Sequence, residues 1–195
     1  MRIFVALDID DIIRQRIARF MDGVREFAPD ARWVRVESLH VTLKFIGEQA
    51  SDKVEEIKKT LASVQGEPFE LNFRGYGFFP NPKAARVFWL GIESGPALEN
   101  LAKAVDEATF ALGIPKEDHA FSPHLTLARG GSGAPRREKG DRPNGRFQRL
   151  QEKLAAISAP EFGTITAREF YLYESQLGQG GSRYTRLQGF PLKPD

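Results

Sequence analysis

The sequence predicts an α+β fold with antiparallel sheets and a pseudo-two-fold arrangement of two similar halves. Segments with strand and helix periodicity are mixed without the regular βαβ alternation of a parallel sheet. The order of the elements is similar in the two halves, and the frame His-x-Thr-Leu occurs once in each, at 40–43 and 124–127. A chain of 195 residues with 41% hydrophobic content can bury a sizeable core. We therefore predict one domain over residues 1–195.

The first half begins with a predicted buried strand at 2–9, followed by an amphipathic helix that Pro29 ends. A short strand is predicted at 33–36. The strand that carries the first motif is predicted at 39–46, and Gly47 closes it. The apolar residues of the helix are spaced four and three apart, which places them on one face: Ile13, Ile17, Phe20, Val24 and Phe27.

A second helix is predicted from Ser51, which is a typical N-cap residue. Aromatic-rich strands at 68–79 and 86–93 are predicted to form a hairpin, and a third helix ends at Gly113. The strand that carries the second motif is predicted at 121–128. The inward residues of the two helices are Val54, Ile57, Leu61 and Val64, and Leu98, Leu101, Val105, Ala108 and Leu112.

The last part of the chain is predicted to contain a fourth helix and strands at about 163–174 and 184–192. The inward residues of this helix are Phe147, Leu150, Leu154 and Ile157. Before it lies a glycine-rich, basic segment at 130–146, which by composition is a surface loop.

Positive charge is concentrated in this region although the whole chain carries a net charge of only +2. Between positions 129 and 149 there are seven basic residues and two acidic ones, an excess of five. Such a run is most often a solvated surface, and the alternative is electrostatic guidance of an RNA strand. The basic residues are Arg129, Arg136, Arg137, Lys139, Arg142, Arg146 and Arg149.

Composition also excludes several classes of site. The chain has no cysteine, which excludes disulfides, thiolate metal sites and a cysteine nucleophile. The apolar run at the N-terminus is interrupted by Asp8 and Asp10 and is too short for a signal peptide, and no segment is long enough to span a bilayer. We expect a cytoplasmic protein with no membrane partner.

Each motif offers an imidazole and a hydroxyl from one face of a strand. Because side chains of a strand alternate between its faces, His40 and Thr42 share one face, and His124 and Thr126 repeat the pattern. Lys44 falls on the face of Thr42 and could reach the same region. A single histidine beside apolar residues is usually structural, so the repetition is the informative signal.

Two histidines in opposite protonation states can act as a general acid and a general base. Cleavage of a phosphodiester needs both, since the attacking water loses a proton and the departing alkoxide gains one. Thr42 and Thr126 could donate hydrogen bonds to the non-bridging oxygens. His119 matches no repeated frame and is interpreted as a loop or structural residue.

Paired His-x-Thr-x motifs are the defining mark of the 2H phosphoesterase superfamily. The chain resembles one branch of it, the bacterial and archaeal RNA 2',3'-cyclic phosphodiesterases, historically called 2'-5' RNA ligases. The resemblance extends over nearly the whole chain. It rests on residues 2–7, 33–34, 39–47, 121–129 and 172–175, and on Tyr184 before the closing strand.

The resemblance implies a bilobal α+β fold in which two antiparallel sheets flank a central cleft and the helices lie outside. It implies hydrolysis of an RNA-terminal 2',3'-cyclic phosphate to a 2'-phosphate, with His40 as proton donor and His124 as proton acceptor. Thr42, Thr126 and Arg129 would bind the phosphate. Because Arg129 lies at odd spacing from His124, this role requires the strand to end or bulge near Ala128. No metal or cofactor is implied, and we expect a monomer that acts on RNA 3' ends or cyclic nucleotides.

The sequence is also compatible with other functions. The cleft could hold a nucleotide or RNA end without turnover, or the protein could be a phosphodiesterase or 2'-5' ligase for small 2'-5' linked nucleotides. A nucleobase could stack on one of several aromatic residues, which the sequence does not distinguish. They are Trp33, Tyr76, Phe78, Phe79, Phe88, Trp89 and Tyr173.

Overall fold

A computed structural model describes residues 1–130 and 145–193. These residues form two antiparallel sheets and four α-helices, which confirms the predicted α+β class. The strands are β1 (Arg2–Leu7), β2 (Arg32–Trp33), β3 (Val41–Glu48), β4 (Phe69–Phe79), β5 (Val87–Glu93), β6 (His124–Arg129), β7 (Glu161–Ala167), β8 (Glu169–Gly178) and β9 (Gly181–Pro191). The helices are α1 (Asp11–Val24), α2 (Ser51–Leu61), α3 (Pro96–Phe110) and α4 (Gln148–Ala155).

The strand order shows the predicted pseudo-two-fold arrangement. One sheet has the order β3-β1-β8-β9, and the other has β6-β5-β4-β7 with the short β2 added beside β6. The series β1-α1-β3-α2 therefore corresponds to β5-α3-β6-α4. The lobes are not the two halves of the chain, however, because β8 and β9 complete the sheet that carries the first motif and β2 joins the other.

Several predicted boundaries move for identifiable reasons. The strand predicted at 33–36 ends at Trp33, and residues 36–38 form a 3-10 turn whose Val36 carbonyl accepts from the Arg14 side chain at 2.6 Å. The segment predicted at 163–174 is two strands, since β7 pairs with β4 and β8 pairs with β1 in the other sheet. The N-cap of α2 is Ala50 rather than Ser51, with no side-chain cap.

The helical faces predicted from apolar spacing mostly pack inward. The predicted residues of α2 are buried except Val64, which is partly buried against the core. In α1, Met21 joins the buried face and Phe20 is only partly buried, and Phe27 is partly buried in the 3-10 turn Arg25–Phe27 that follows the helix. The prediction for Ile157 is wrong: its side chain is 42% exposed, because α4 ends at Ala155 and the helical spacing no longer applies there.

Lys44 does not share the face of Thr42 as the sequence suggested. Thr42 pairs with Ala6 and Lys44 with Val5, so Leu43 is an extra residue that forms a β-bulge and turns Lys44 inward. The Lys44 side chain is 2% exposed. Its ammonium donates to Oδ1 of Asp106 at 2.6 Å and to the Pro115 carbonyl at 2.6 Å, and it lies 3.8 Å from Glu117. This buried ion pair connects β3 to α3.

We expect Asp106→Asn to lower the free energy of unfolding by about 3 kcal/mol, because a buried ammonium loses its closest counter-charge. The matched control is Glu93→Gln, which breaks an exposed ion pair with Arg74 at 2.8 Å and should cost less than about 1 kcal/mol. Urea denaturation measures both. Equal losses in the two variants would contradict a stabilising role for the buried pair.

Candidate active site

The two motifs meet at one cavity of about 430 Å³ between the sheets. His40 and Thr42 reach it from the start of β3, and His124 and Thr126 reach it from β6. Arg129 lines the same cavity. The structure thus brings together all five residues that the sequence singled out.

A second bulge explains how Arg129 reaches this cavity. Ala128 pairs with Phe88 and Thr126 pairs with the next residue, Trp89, so Leu127 is an extra residue in β6. Ala128 is buried and Arg129 is exposed, which is the change of face that the odd spacing required.

The two bulges occupy equivalent positions, one residue after each motif threonine. The residue that follows the bulge points into the core in both strands: Lys44 in β3 and Ala128 in β6. The next residue faces the cavity, and it is Phe45 in one strand and Arg129 in the other. The two halves of the site therefore differ at this position, which holds an aromatic ring in β3 and a cation in β6.

Each histidine is held by a backbone carbonyl two residues before it. Nδ1 of His40 lies 2.6 Å from the carbonyl oxygen of Ser38, and Nδ1 of His124 lies 2.8 Å from that of Ser122. Because a carbonyl oxygen only accepts, Nδ1 carries the proton in both rings, and Nε2 is left for a substrate. These serines were not among the predicted site residues, although the repeat in the sequence extends to Ser-x-His-x-Thr-Leu.

Burial lowers the pKa of both histidines. For His40 the pKa falls to about 4, since desolvation outweighs the hydrogen bond to Ser38, and the charge of Arg14 lowers it further. For His124 the pKa is also lowered, first by desolvation and then by Arg129, against the opposing hydrogen bond to Ser122. Both rings are therefore neutral near pH 7 when the cavity holds no anion.

Aromatic side chains pack around each imidazole. The Phe4 ring stacks on His40 with centroids 4.7 Å apart, and Tyr184 meets the same imidazole edge-on at 5.1 Å. In the other sheet, Phe79 meets His124 edge-on at 5.1 Å. These contacts fix the ring planes and supply the burial that lowers both pKa values.

Arg14 holds the segment that precedes His40. From α1, its guanidinium donates to the carbonyl of Val36 at 2.6 Å and to that of Leu39 at 2.9 Å. It also donates to Oδ1 of Asp8 at 2.8 Å, and Oδ2 of Asp8 accepts from Arg186 at 2.7 Å. This function of Arg14 was not predicted, because two of its acceptors are main-chain oxygens, which no side-chain pattern reveals.

Other predicted features lie away from this cavity or outside the description. His119 is an exposed residue, and Lys44 does not line the cavity of the two motifs. Most of the basic segment, residues 131–144, lies outside the described residues. Within residues 1–130 and 145–193, no three His, Asp or Glu side chains are grouped to hold a metal ion. No helix in this part of the chain is long and apolar enough to cross a membrane.

Comparison with known proteins gives consistent matches along the chain. The family model LigT like Phosphoesterase matches twice, at residues 7–89 and 90–184. The RNA 2',3'-cyclic phosphodiesterase of Methanothermobacter thermautotrophicus is 32% identical over 193 residues, covering 98% of each chain. That of Archaeoglobus fulgidus is 34% identical over 194 residues, covering 97% of this chain and 99% of the relative. The crystal structure of Escherichia coli LigT complexed with 3'-AMP matches with a TM-score of 0.77 at 27% identity, over 99% of this chain and 98% of that one.

The lowered pKa of His40 predicts a specific loss of stability in acid. The unfolded chain binds a proton near the ordinary pKa of 6.5, whereas the folded chain binds it only near 4, so stability falls as pH drops between these values. In the variant His40→Asn the amide can still donate to Ser38, but no imidazole titrates at this position. Between pH 7 and pH 5 we expect the free energy of unfolding to fall by about 2 kcal/mol less in this variant than in the unmodified protein.

Urea denaturation at the two pH values measures this difference, with His119→Asn as the control at an exposed histidine. The same pH dependence in all three proteins would argue against a neutral, buried His40.

Proposed function

The chain belongs to the LigT-like phosphoesterase family, and from this membership we propose that it hydrolyses the 2',3'-cyclic phosphate at the 3' end of an RNA to a 2'-phosphomonoester. The relatives that match nearly the whole chain carry the name RNA 2',3'-cyclic phosphodiesterase. The observation that carries the proposal is the shared cavity: the imidazoles and the threonine hydroxyls of both motifs, with the guanidinium of Arg129, line one space between two sheets.

In the proposed reaction, Nε2 of His124 takes a proton from water as the water oxygen attacks phosphorus. The bond from phosphorus to O3' breaks, and Nε2 of His40 gives its proton to that oxygen. The products are a 2'-phosphate and a 3'-hydroxyl, and proton exchange with solvent resets both rings. This assignment of the two roles follows the family resemblance, because the two imidazoles have similar surroundings.

Thr42, Thr126 and Arg129 are the proposed phosphate ligands. The hydroxyls can donate hydrogen bonds to the non-bridging oxygens, whose negative charge grows as water adds. The guanidinium of Arg129 supplies a fixed positive charge on the same side of the cavity as His124.

The anionic substrate also sets the protonation state that the reaction needs. His40 is neutral near pH 7 in the empty cavity, whereas a proton donor must be protonated. A bound phosphodiester places a negative charge beside the imidazole, which raises its pKa and favours the imidazolium. Substrate binding and protonation of His40 are thus coupled.

A cleft that binds without turnover is the less favoured alternative, since the family is one of phosphoesterases. The deciding experiment is product analysis on an RNA oligomer with a 2',3'-cyclic phosphate, with EDTA present. We expect a 2'-phosphate end. A 3'-phosphate would reverse the proposed polarity of bond cleavage, and an unchanged oligomer would contradict the proposed hydrolysis. Running 2',3'-cyclic AMP in parallel separates an RNA substrate from a small nucleotide.

Replacing either histidine by alanine should lower kcat by about 10²- to 10⁴-fold, because each removes one of two proton transfers. The double variant should be little worse than the single ones, since the two groups act in one step. Steady-state hydrolysis of the cyclic phosphate measures the effect, and unchanged thermal unfolding at pH 7.5 verifies the fold. Full activity of either single variant would contradict paired-histidine catalysis.

The lowered pKa values also predict the pH dependence of kcat/KM, which reports the free protein. One histidine must be protonated and the other neutral, and both pKa values lie below 6.5. We therefore expect a maximum below pH 6.5 and a fall of about tenfold per pH unit at higher pH. The maximum of kcat should lie at higher pH than the maximum of kcat/KM, because the bound phosphate raises the pKa values of both histidines. A kcat/KM that stays constant up to pH 9 would exclude a protonated histidine as the donor.

A further inference from the structure

A second cavity of about 510 Å³ adjoins the cavity of the two motifs. The two spaces share Thr42, Phe45, Ser122 and His124 as lining residues. The remaining walls of the second cavity come from Leu43 and Lys44 of β3, from α3 and from residues 117–121. A ligand held by the motifs can therefore extend into it, and none of the steps proposed above uses this space.

The two cavities differ in charge. Among described residues, Arg2 and Arg129 are the charged side chains other than histidine at the first cavity, which suits a phosphate. The second cavity has three carboxylates and two ammonium groups: Glu99, Asp106, Glu117, Lys44 and Lys103. Because Lys44 and Asp106 neutralise each other, this lining repels a second phosphate and suits an uncharged group with polar edges.

Phe45 stands at the junction of the two cavities. It is 48% exposed, which is unusual for a phenylalanine in the middle of a strand, and the bulge at Leu43 turns it to this face. The Arg2 guanidinium lies 5.1 Å from the centre of its ring, and Arg2 lines the first cavity but not the second. The ring therefore separates a cation at the phosphate side from the second cavity.

We propose that the second cavity holds the base of the terminal nucleoside, stacked on Phe45, while its cyclic phosphate occupies the first cavity. The ribose, which connects the base to the cyclic phosphate, lies beside the residues that line both cavities. The inference rests on the proposed function and adds a specificity residue to it. It also accounts for the difference between the two equivalent positions after the bulges. Phe45 binds the base and Arg129 binds the phosphate, so the substrate has one preferred orientation between two similar histidines.

Comparison of a nucleotide with its abasic analogue tests the stacking. The substrates are adenosine 2',3'-cyclic phosphate and ribose 2',3'-cyclic phosphate. We expect Phe45→Ala to lower kcat/KM for the nucleotide by about 10- to 100-fold, the usual range for loss of one base stack, and to have a clearly smaller effect on the abasic substrate, which has no base to stack. Phe45→Tyr keeps an aromatic face and should retain the preference for the nucleotide.

Phe110→Ala is the matched control, because Phe110 is 55% exposed and also lies under a cation, with the Lys116 ammonium 5.1 Å from the ring centre. Phe110 lines neither cavity, so its removal should leave both rates unchanged. Equal losses on both substrates in Phe45→Ala, or no loss on either, would overturn the proposal.

A binding measurement keeps the inference separate from the proposed hydrolysis. Calorimetric titration with adenosine 2'-phosphate and with ribose 2-phosphate compares the same groups without turnover. We expect the unmodified protein to bind the nucleotide about 10- to 100-fold more tightly, and Phe45→Ala to lose that difference. Equal affinities in the unmodified protein would overturn the stacking even if hydrolysis is observed. If the unmodified protein binds the nucleotide more tightly than the abasic analogue but hydrolyses no cyclic phosphate, only the proposed reaction would be contradicted.

Discussion

The geometry of the cleft depends on one extra residue in each motif strand. Without the bulges at Leu43 and Leu127, strict alternation would direct Lys44 and Ala128 to the cleft. With them, Lys44 forms its ion pair inside the core, and Phe45 and Arg129 face the cavity. The same backbone irregularity therefore serves packing and the site together, and it does so twice in a pseudo-symmetric fold.

Burial and hydrogen bonding act against each other at the two histidines. The carbonyls of Ser38 and Ser122 favour a protonated ring, whereas the surrounding aromatic side chains remove water and favour a neutral one. Desolvation is the larger effect in both. The pKa values of histidines in such a site respond strongly to a bound anion, because the negative charge of a phosphate stabilises the imidazolium that the apolar surroundings disfavour. The proposed chemistry uses that response to charge the donor when substrate is present.

The exchange of strands between lobes links distant parts of the chain at the site. The first motif lies in β3, and the sheet that carries it is completed by β8 and β9, which supply Tyr173 and Tyr184 near His40. The second motif lies in β6, beside β2 from the first half. Neither half of the chain contains all the strands of one sheet, so the environment of each histidine requires contacts across the whole sequence.

The sequence by itself determined the elements whose signal is local: the helical faces of α1 and α2, the strands around each motif, and the pairing of two motifs, which also indicated the family and named the five residues at the cavity. It could not determine what depends on pairing between strands. The inward turn of Lys44, the exposure of Phe45, the carbonyl partners of the histidines and the contacts of Arg14 arise from bulges and main-chain oxygens, which leave no side-chain pattern. Tertiary structure decided the strand register and the contacts of Arg14 because these join residues that are far apart in the chain. The carbonyl partners lie only two residues before each histidine, and the local backbone conformation directs them at the rings.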